Sequence, residues 1–234
     1  MIRNIHFVTC LQVLFFISCN GQNMNDNQHK ITGIQEKNLQ AINDTFNVKD
    51  YNSNQGEDGY YIYSNSNGDS ITEIGSVANG FTRIITNKKE PFYEIYREYY
   101  GNGRLKINGR QMTHGVMTGL WTFYSENGRL EKEIDENAKF GPFGPDQLLL
   151  FLEKENLINL KTGEGLKYLN IGFGSEQIPN VTEMRKTQPG LPDKWEWSVS
   201  YCKSVPACDH TYLIDSWNGK VISHRNIKGV ELVK

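Results

Sequence analysis

The chain predicts an α+β fold that is mostly β: stacked antiparallel β-hairpin repeats, then a helix with an antiparallel sheet module. Three observations carry this expectation. From Gly59 to Phe143, aromatic and β-branched runs alternate with turn residues. Within that block Tyr99-Tyr100-Gly101-Asn102-Gly103-Arg104-Leu105 returns as Tyr124-Ser125-Glu126-Asn127-Gly128-Arg129-Leu130, at an offset of 25 residues. Beyond it, Leu148, Phe151 and Leu152 recur at helical spacing before strand-like runs resume.

The first element stands outside that fold. Arg3 supplies a positive start, and Phe7 to Ile17 form an apolar stretch interrupted by Thr9 and Gln12. At about 11 residues it is too short to span a hydrocarbon layer of ~30 Å. Phe16-Ile17-Ser18-Cys19 resembles the bacterial lipobox, which implies removal of residues 1–18 and acylation of Cys19. Cleavage there leaves 216 of the 234 residues, enough for one large or two small domains.

Residues 19–58 are rich in Asn, Gln and Asp and predict an acylated cysteine followed by a flexible tether. Asn38 to Phe46 is its one candidate helical turn. Asn20 is not the Asp that marks inner-membrane retention, and no acidic cluster of the kind linked to surface export in Bacteroidetes lipoproteins follows. The chain thus resembles a Bacteroidetes-type lipoprotein of the outer membrane facing the periplasm, with display at the cell surface left open.

The repeat region covers 59–143. Tyr60-Tyr61-Ile62-Tyr63 and Thr82 to Thr86 read as strands. Asn-Gly is a hairpin signal, read here as a type I′ turn. Gly59 to Gly68 reads as a degenerate earlier copy of Gly119 to Gly128. Gly119, Trp121, Tyr124, Asn127, Gly128 and Leu130 resemble the MORN-repeat variant of bacteria, G-x-W-x-x-Y-x-x-N-G-x-L. The preceding copy has Tyr96 where the Trp belongs. Family members often carry an antitoxin-like label, but the shared positions are turn and packing residues. Trp121 and Tyr124 are therefore expected in stacking roles, with a ligand-binding aromatic ladder as the alternative.

The last region, 144–234, opens with Gly144-Pro145 leading a helix over Asp146 to Asn156. Strands are expected at Lys167 to Phe173, Trp195 to Cys202, Thr211 to Asp215 and Lys220 to His224, the last two joined by a turn at Ser216 to Gly219. Tyr212, Asp215, Gly219, Lys220 and Val221 resemble the closing motif of the PepSY-like module. Asn218 replaces its usual Thr, and Ser175 to Lys194, with Pro179, Pro189 and Pro192, departs from its layout.

Chemistry is sparse. The 25 Lys and Arg balance 27 Asp and Glu, with no basic block to neutralise phosphates, so nucleic acid is not an expected partner. Cys10 leaves with the signal and Cys19 is the anchor. Cys202 and Cys208 remain as an expected disulfide, worth about 2 kcal/mol by the chain-entropy account. Joined with His210 they do not have zinc spacing. Gly172-Phe173-Gly174 lacks the rest of a dinucleotide fingerprint. Glu131, Glu133 and Asp135, with Glu136 after them, read as a solvated strand face. His210 and His224 fall on adjacent strands, where a one-residue change of register decides whether they meet. They are expected as ordinary polar positions, as is His114; no metal, cofactor or catalytic residue is expected. Asp69-Ser70-Ile71 resembles the O-glycosylation triplet, with Ser70 as acceptor.

These features predict a lipid-anchored envelope binding protein without catalytic activity. It would recognise a protein or glycan through β-edges and exposed aromatics. The PepSY resemblance implies an alternative, an inhibitor or immunity protein against a periplasmic peptidase or toxin. An enzyme with an unrecognised site is the third reading.

Overall fold

The computed structural model describes residues 44–174, 195–203, 208–226 and 229–231. The expected signal segment, Cys19, the tether as far as residue 43, the Pro-bearing segment 175–194 and the loop 204–207 lie outside the described residues. The fold is α+β and mostly β. A short helix α1 (Val48–Asn54) leads into a seven-stranded antiparallel meander, taken in chain order. Its strands are β1 (Tyr60–Ser64), β2 (Ser70–Ser76), β3 (Gly80–Thr86), β4 (Tyr93–Tyr99), β5 (Leu105–Met112), β6 (Met117–Tyr124) and β7 (Leu130–Asp135). Helix α2 (Pro145–Lys154) follows. A five-stranded antiparallel sheet closes the chain: β8 (Leu169–Gly174), β9 (Glu196–Tyr201), β10 (His210–Asp215), β11 (Val221–Asn226) and β12 (Gly229–Glu231).

The repeat builds one local device more than once. In Tyr100 to Arg104 the N–H of Gly103 donates to the Tyr100 carbonyl, and the N–H of Tyr100 to the Arg104 carbonyl, both at 2.8 Å. Ser125 to Arg129 repeats the pattern at 2.8 and 2.9 Å. Gly103 and Gly128 take φ of 82° and 84°, and among the described residues Asn156 is the one non-glycine with positive φ. The turn is therefore a type I turn closed by a left-handed glycine, not the type I′ turn expected from Asn-Gly. Asn102 and Asn127 serve it differently: each side-chain oxygen accepts the N–H two residues on, from Arg104 at 3.0 Å and Arg129 at 3.2 Å. The earlier copy shares the bonding at Asn65 to Asp69, and so does Met112 to Val116, which the repeat motif does not mark. The two closely matching copies also carry a bulge beside the turn, where Tyr99 pairs Leu105 and Tyr124 pairs Leu130 out of step with the rest of the ladder, while the earlier copy pairs without one. The bulge aims those four side chains at one face.

That face is covered at one end by the stretch read as tether. From Asp44 onward it belongs to the fold, with a helix at Val48–Asn54; the turn expected at Asn38 to Phe46 lies mostly outside the described residues. Phe46 and Tyr51 are buried with Phe81, Tyr99, Leu105 and Tyr124. Phe46 stacks on Phe81 with ring centres 4.3 Å apart. Its N–H donates to the Gly103 carbonyl at 2.8 Å. The Tyr51 hydroxyl donates to the Gly59 carbonyl at 2.6 Å. Two aromatics suffice to dock a segment whose composition is otherwise polar, because each buries 150–250 Å² by the usual reckoning.

Beside them runs a charge network. Asp44 pairs with Arg97 at 2.6 Å and with Arg83 at 3.6 Å, and Arg83 pairs with Glu73 at 2.6 Å. The Tyr99 hydroxyl donates to Asp44 at 2.9 Å, and burial pushes its ionisation well above the ordinary tyrosine range, with the Asp44 charge adding to the effect. Two carboxylates meet two guanidiniums, so the network is neutral and its members are largely out of water.

The other end of the same sheet joins the C-terminal part in one core. Phe92, Tyr93, Met112 and Val116 pack with Leu148, Leu149 and Leu152 of α2 and with Ile171, Trp197, Val199 and Ile214. Leu148, Leu152, Trp197 and Ile214 are completely buried. The Trp197 indole N–H donates to the Phe143 carbonyl at 2.9 Å, which fixes the entry to α2. Gly144 precedes the helix, its N–H held by the Gln147 side chain at 3.1 Å.

Phe46→Ala removes the aromatic that closes the first cluster. We expect it to lower stability by about 3 kcal/mol, the scale of a buried Phe truncation, read as a shift in the urea midpoint. An unchanged midpoint would remove residues 44–54 from the folded unit.

Candidate functional site

A broad concavity lies where the β5–β6 turn meets the C-terminal sheet. It is a cleft of about 820 Å³, within the size range of ligand sites. Its polar lining includes His114, Asn159, Lys167, Tyr168, Tyr201 and Lys203, with Glu164 as its acidic side chain. Tyr168 and Tyr201 meet edge to face with ring centres 5.7 Å apart. The ammonium groups of Lys167 and Lys203 lie 4.8 and 5.9 Å from the centre of the Tyr168 ring. Burial raises the Tyr201 hydroxyl, and the neighbouring Tyr168, Asp209 and Glu164 push the same way. Tyr201 therefore stays a neutral donor, in a cleft whose charged side chains are two lysines and Glu164.

The cysteines position this wall. Cys202 and Cys208 stand as a disulfide pair next to the cleft. The Cys202 N–H donates to the Tyr168 carbonyl at 2.8 Å, and the Lys203 N–H donates to the Asp209 carboxylate at 2.6 Å. The bridge thus ties the end of β9 to the start of β10 and sets Tyr201 and Lys203 beside Tyr168.

His114 enters from the opposite side, on the β5–β6 turn. Its Nε2 is buried and has no hydrogen-bond partner among the described residues. Desolvation lowers its pKa below the usual 6.5, against a hydrogen bond with the Leu166 backbone that works the other way. The imidazole therefore favours its neutral form, and its partnerless nitrogen is closed to solvent.

A second surface is the uncovered face of the seven-stranded sheet. Register places Ile62, Thr72, Ile84 and Tyr96 in one row across β1 to β4. Trp121 continues it by lying over Gly109, where any Cβ would sit 2.2 Å from the indole, and it stacks with Tyr96 at 5.7 Å. Its indole N–H donates to the Arg110 and Thr118 carbonyls. Trp121 is 1% exposed, so the ring is a packing element and not the rung of a ladder. Tyr124 points the other way, into the cluster around Phe46. The two aromatics of the repeat signature therefore serve opposite faces. Gly119 (φ 67°) and Gly128 supply backbone that bends, Asn127 ties the turn, and Leu130 packs on the Tyr124 cluster.

The histidines meet. β10 and β11 pair Tyr212 with His224 and His210 with Asn226, which places His210 and His224 diagonally on the face shared with α2. His210 Nδ1 lies 3.2 Å from His224 Nε2. The Tyr212 ring lies flat against His224, with centres 4.2 Å apart and planes 5° apart. The Tyr212 hydroxyl donates to Glu155 at 3.4 Å; burial, followed by the Glu155 charge, pushes it up to about 12.

The remaining positions stay apart. Ser70 is exposed at the start of β2. Glu131, Glu133 and Asp135 are exposed on β7. Among the described residues no three His, Cys, Asp or Glu side chains converge as metal ligands, and no helix is long and apolar enough to cross a membrane. Comparison with protein-family models, curated proteins and solved structures finds no match to this chain.

The low basicity of His114 has a sign that can be followed. Its folded-state pKa lies below its unfolded one, so its contribution is fully present above about 6.5 and is lost as pH falls from there through the lower folded-state value. We expect thermal melts of the native chain to lose ground to His114→Gln as pH drops from 7.5 to 5.5. Parallel melting curves across that range would show that His114 is not desolvated.

Proposed function

We propose that this protein is a lipid-anchored, non-catalytic binding protein of the outer membrane, acting on a protein or glycan in the envelope. One observation carries the reading: the cleft sets two tyrosines, two lysines and two asparagines around an open concavity of ligand size. Those groups donate hydrogen bonds, offer aromatic edges and hold positive charge. They suit a ligand with hydroxyls, carboxylates or backbone carbonyls along an extended chain. Nucleophilic catalysis asks for a nucleophile held within reach of an oriented base. His114 is half-buried, its resolved hydrogen bond goes to backbone and its Nε2 is closed to solvent, which makes it part of the cleft wall in this reading.

The anchor supports the same reading. Cys19 would hold the chain at the bilayer, some 25 residues ahead of Asp44, which is paired with Arg97 in the fold. The MORN-like and PepSY-like resemblances bear on architecture here, since their matched residues occupy turns, packing positions and strand ends.

Cross-linking of the full chain in its own envelope, followed by pull-down, tests the binding role. We expect one specific partner or glycan species, lost from a Lys167→Glu/Lys203→Glu double variant and kept by an Ile62→Asp variant on the open sheet face. Equal recovery from native and double-variant chains would move the site away from the cleft. A single peptidase or toxin in the eluate would instead favour an inhibitory role. For the anchor, Cys19→Ala is expected to release the protein from the membrane fraction, and retention there would remove the lipoprotein assignment.

A further inference from the structure

We infer that the outer edge of β1 is a pairing site for a second copy of this chain, joined antiparallel about a two-fold axis at Tyr63. The inference is independent of the cleft and uses an edge of the larger sheet. The two edges of that sheet differ in kind. β7 carries Glu131, Lys132, Glu133 and Asp135 among its 6 residues, the sort of charge that keeps an open strand from pairing with other chains. β1 is Tyr60-Tyr61-Ile62-Tyr63-Ser64, with no charge, no proline and, against β2, no bulge. Tyr60 is 42% exposed and Ile62 66%. An edge that is flat, uncharged and apolar is a template for another strand.

Hydrogen-bond geometry sets the register. The Asn65 N–H donates to the Asp69 carbonyl at 3.1 Å. By the antiparallel alternation Tyr61 and Tyr63 then bond inward to β2, while Tyr60, Ile62 and Ser64 turn their N–H and C=O groups outward. The place beside Tyr60 is taken: its carbonyl accepts the Gly56 N–H at 2.8 Å, and its N–H donates to Asp58 at 3.1 Å. Ile62 and Ser64 remain as the open stretch of the edge. A second copy run antiparallel fills that stretch and stops where it must. Ile62 of each copy exchanges both backbone bonds with Ser64 of the other, and Tyr63 stands opposite Tyr63. Past Ser64 the incoming chain turns away at Asn65 to Asp69, just where Gly56 blocks the edge; a longer extended peptide would run into that block. Charge agrees as well. Glu57 and Asp58 of one copy fall toward the turn of the other, whose Ser66 and Asn67 are exposed and uncharged. Each Tyr63 ring is held ready by stacking on Tyr61 at 4.5 Å and by donating to Glu73 at 3.2 Å. The contact is isologous and closed, so it ends at a dimer. Its length puts it with small, transient interfaces, so a covalent trap is the suitable probe.

The test is disulfide trapping of the full chain in detergent with an added oxidant, read on a non-reducing gel. In the proposed register the two Tyr63 positions form a non-hydrogen-bonded pair with α-carbons about 4.5 Å apart, within disulfide reach. The two Ser64 positions are offset along the strands and stand about 8 Å apart, beyond it. We expect Tyr63→Cys to give a crosslinked dimer and Ser64→Cys to give little. Adding Ile62→Pro to Tyr63→Cys removes an outward N–H without touching the bonds to β2, and should lower the dimer yield about tenfold or more. No dimer from Tyr63→Cys, equal yields from the Tyr63→Cys and Ser64→Cys chains, or a yield unchanged by Ile62→Pro overturns the inference. If Tyr63→Cys does not fold by circular dichroism, hydrogen exchange at the Ile62 and Ser64 amides of the native chain decides. Protection that grows with protein concentration supports the pairing. Fast exchange at every concentration overturns it, as does protection independent of concentration, which would mean that another segment of the same chain covers the edge.

Discussion

A meander of seven strands presents two faces, and it can leave only one of them to water. Everything else in this fold follows from how the other face is covered. The cover comes in two pieces from opposite ends of the chain. Phe46 and Tyr51 arrive before the first strand, and α2 with the second sheet arrives after the last. Trp197 is central to the second piece. It is completely buried, its indole N–H is held by the Phe143 carbonyl, and Phe140 and Phe173 pack on it at 5.2 and 4.5 Å. That contact orients α2 against Tyr93 and Met112 and so fuses the two sheets around one core.

Between these covers the same face carries polar groups, and they are satisfied by one another. Tyr63 donates to Glu73, Glu73 pairs with Arg83, and Arg83 and Arg97 share Asp44. Arg83 also lies 5.3 Å from the Phe46 ring centre and 5.1 Å from that of Tyr99. The guanidinium thus couples the apolar cover to the charge network. A mismatch anywhere in it leaves a desolvated charge, which specifies how the N-terminal segment lies on the sheet more sharply than apolar contact alone.

The parts legible in the sequence were those written in local chemistry. The glycines of Asn102-Gly103 and Asn127-Gly128 mark turns because few other residues tolerate positive φ, and the 25-residue offset marks two equivalent hairpins. The turn type was not legible, since the same dipeptide fits a two-residue loop and a longer one; the bulges at Leu105 and Leu130 decide between them. Phe46 and Tyr51 were hidden by composition: two aromatics among Asn and Asp read as tether, although two well-placed rings suffice to dock it. The His210–His224 contact was hidden by register, a property of two strands at once that no single strand displays. The cleft was least legible of all. It draws on a turn near residue 114, the segment 156–168 and the end of β9, and separations of that kind leave no pattern in a linear string.

The division of labour between the faces also locates recognition. On the covered face, Tyr99, Leu105 and Tyr124 are all within 2% of complete burial and are committed to packing. The open face offers Tyr60 and Ile62, at 42% and 66% exposure, but it has little depth, and its one indole is closed down onto Gly109. The seam between the sheets is different. There the β5–β6 turn must end and the C-terminal strands must begin, so loops rather than ladders line the surface and leave polar side chains facing a void. The disulfide falls at this seam, where it limits the motion of Lys203 and Tyr201 without adding to either core. A crosslink placed there does less for global stability than for holding a set of ligand-facing side chains in register.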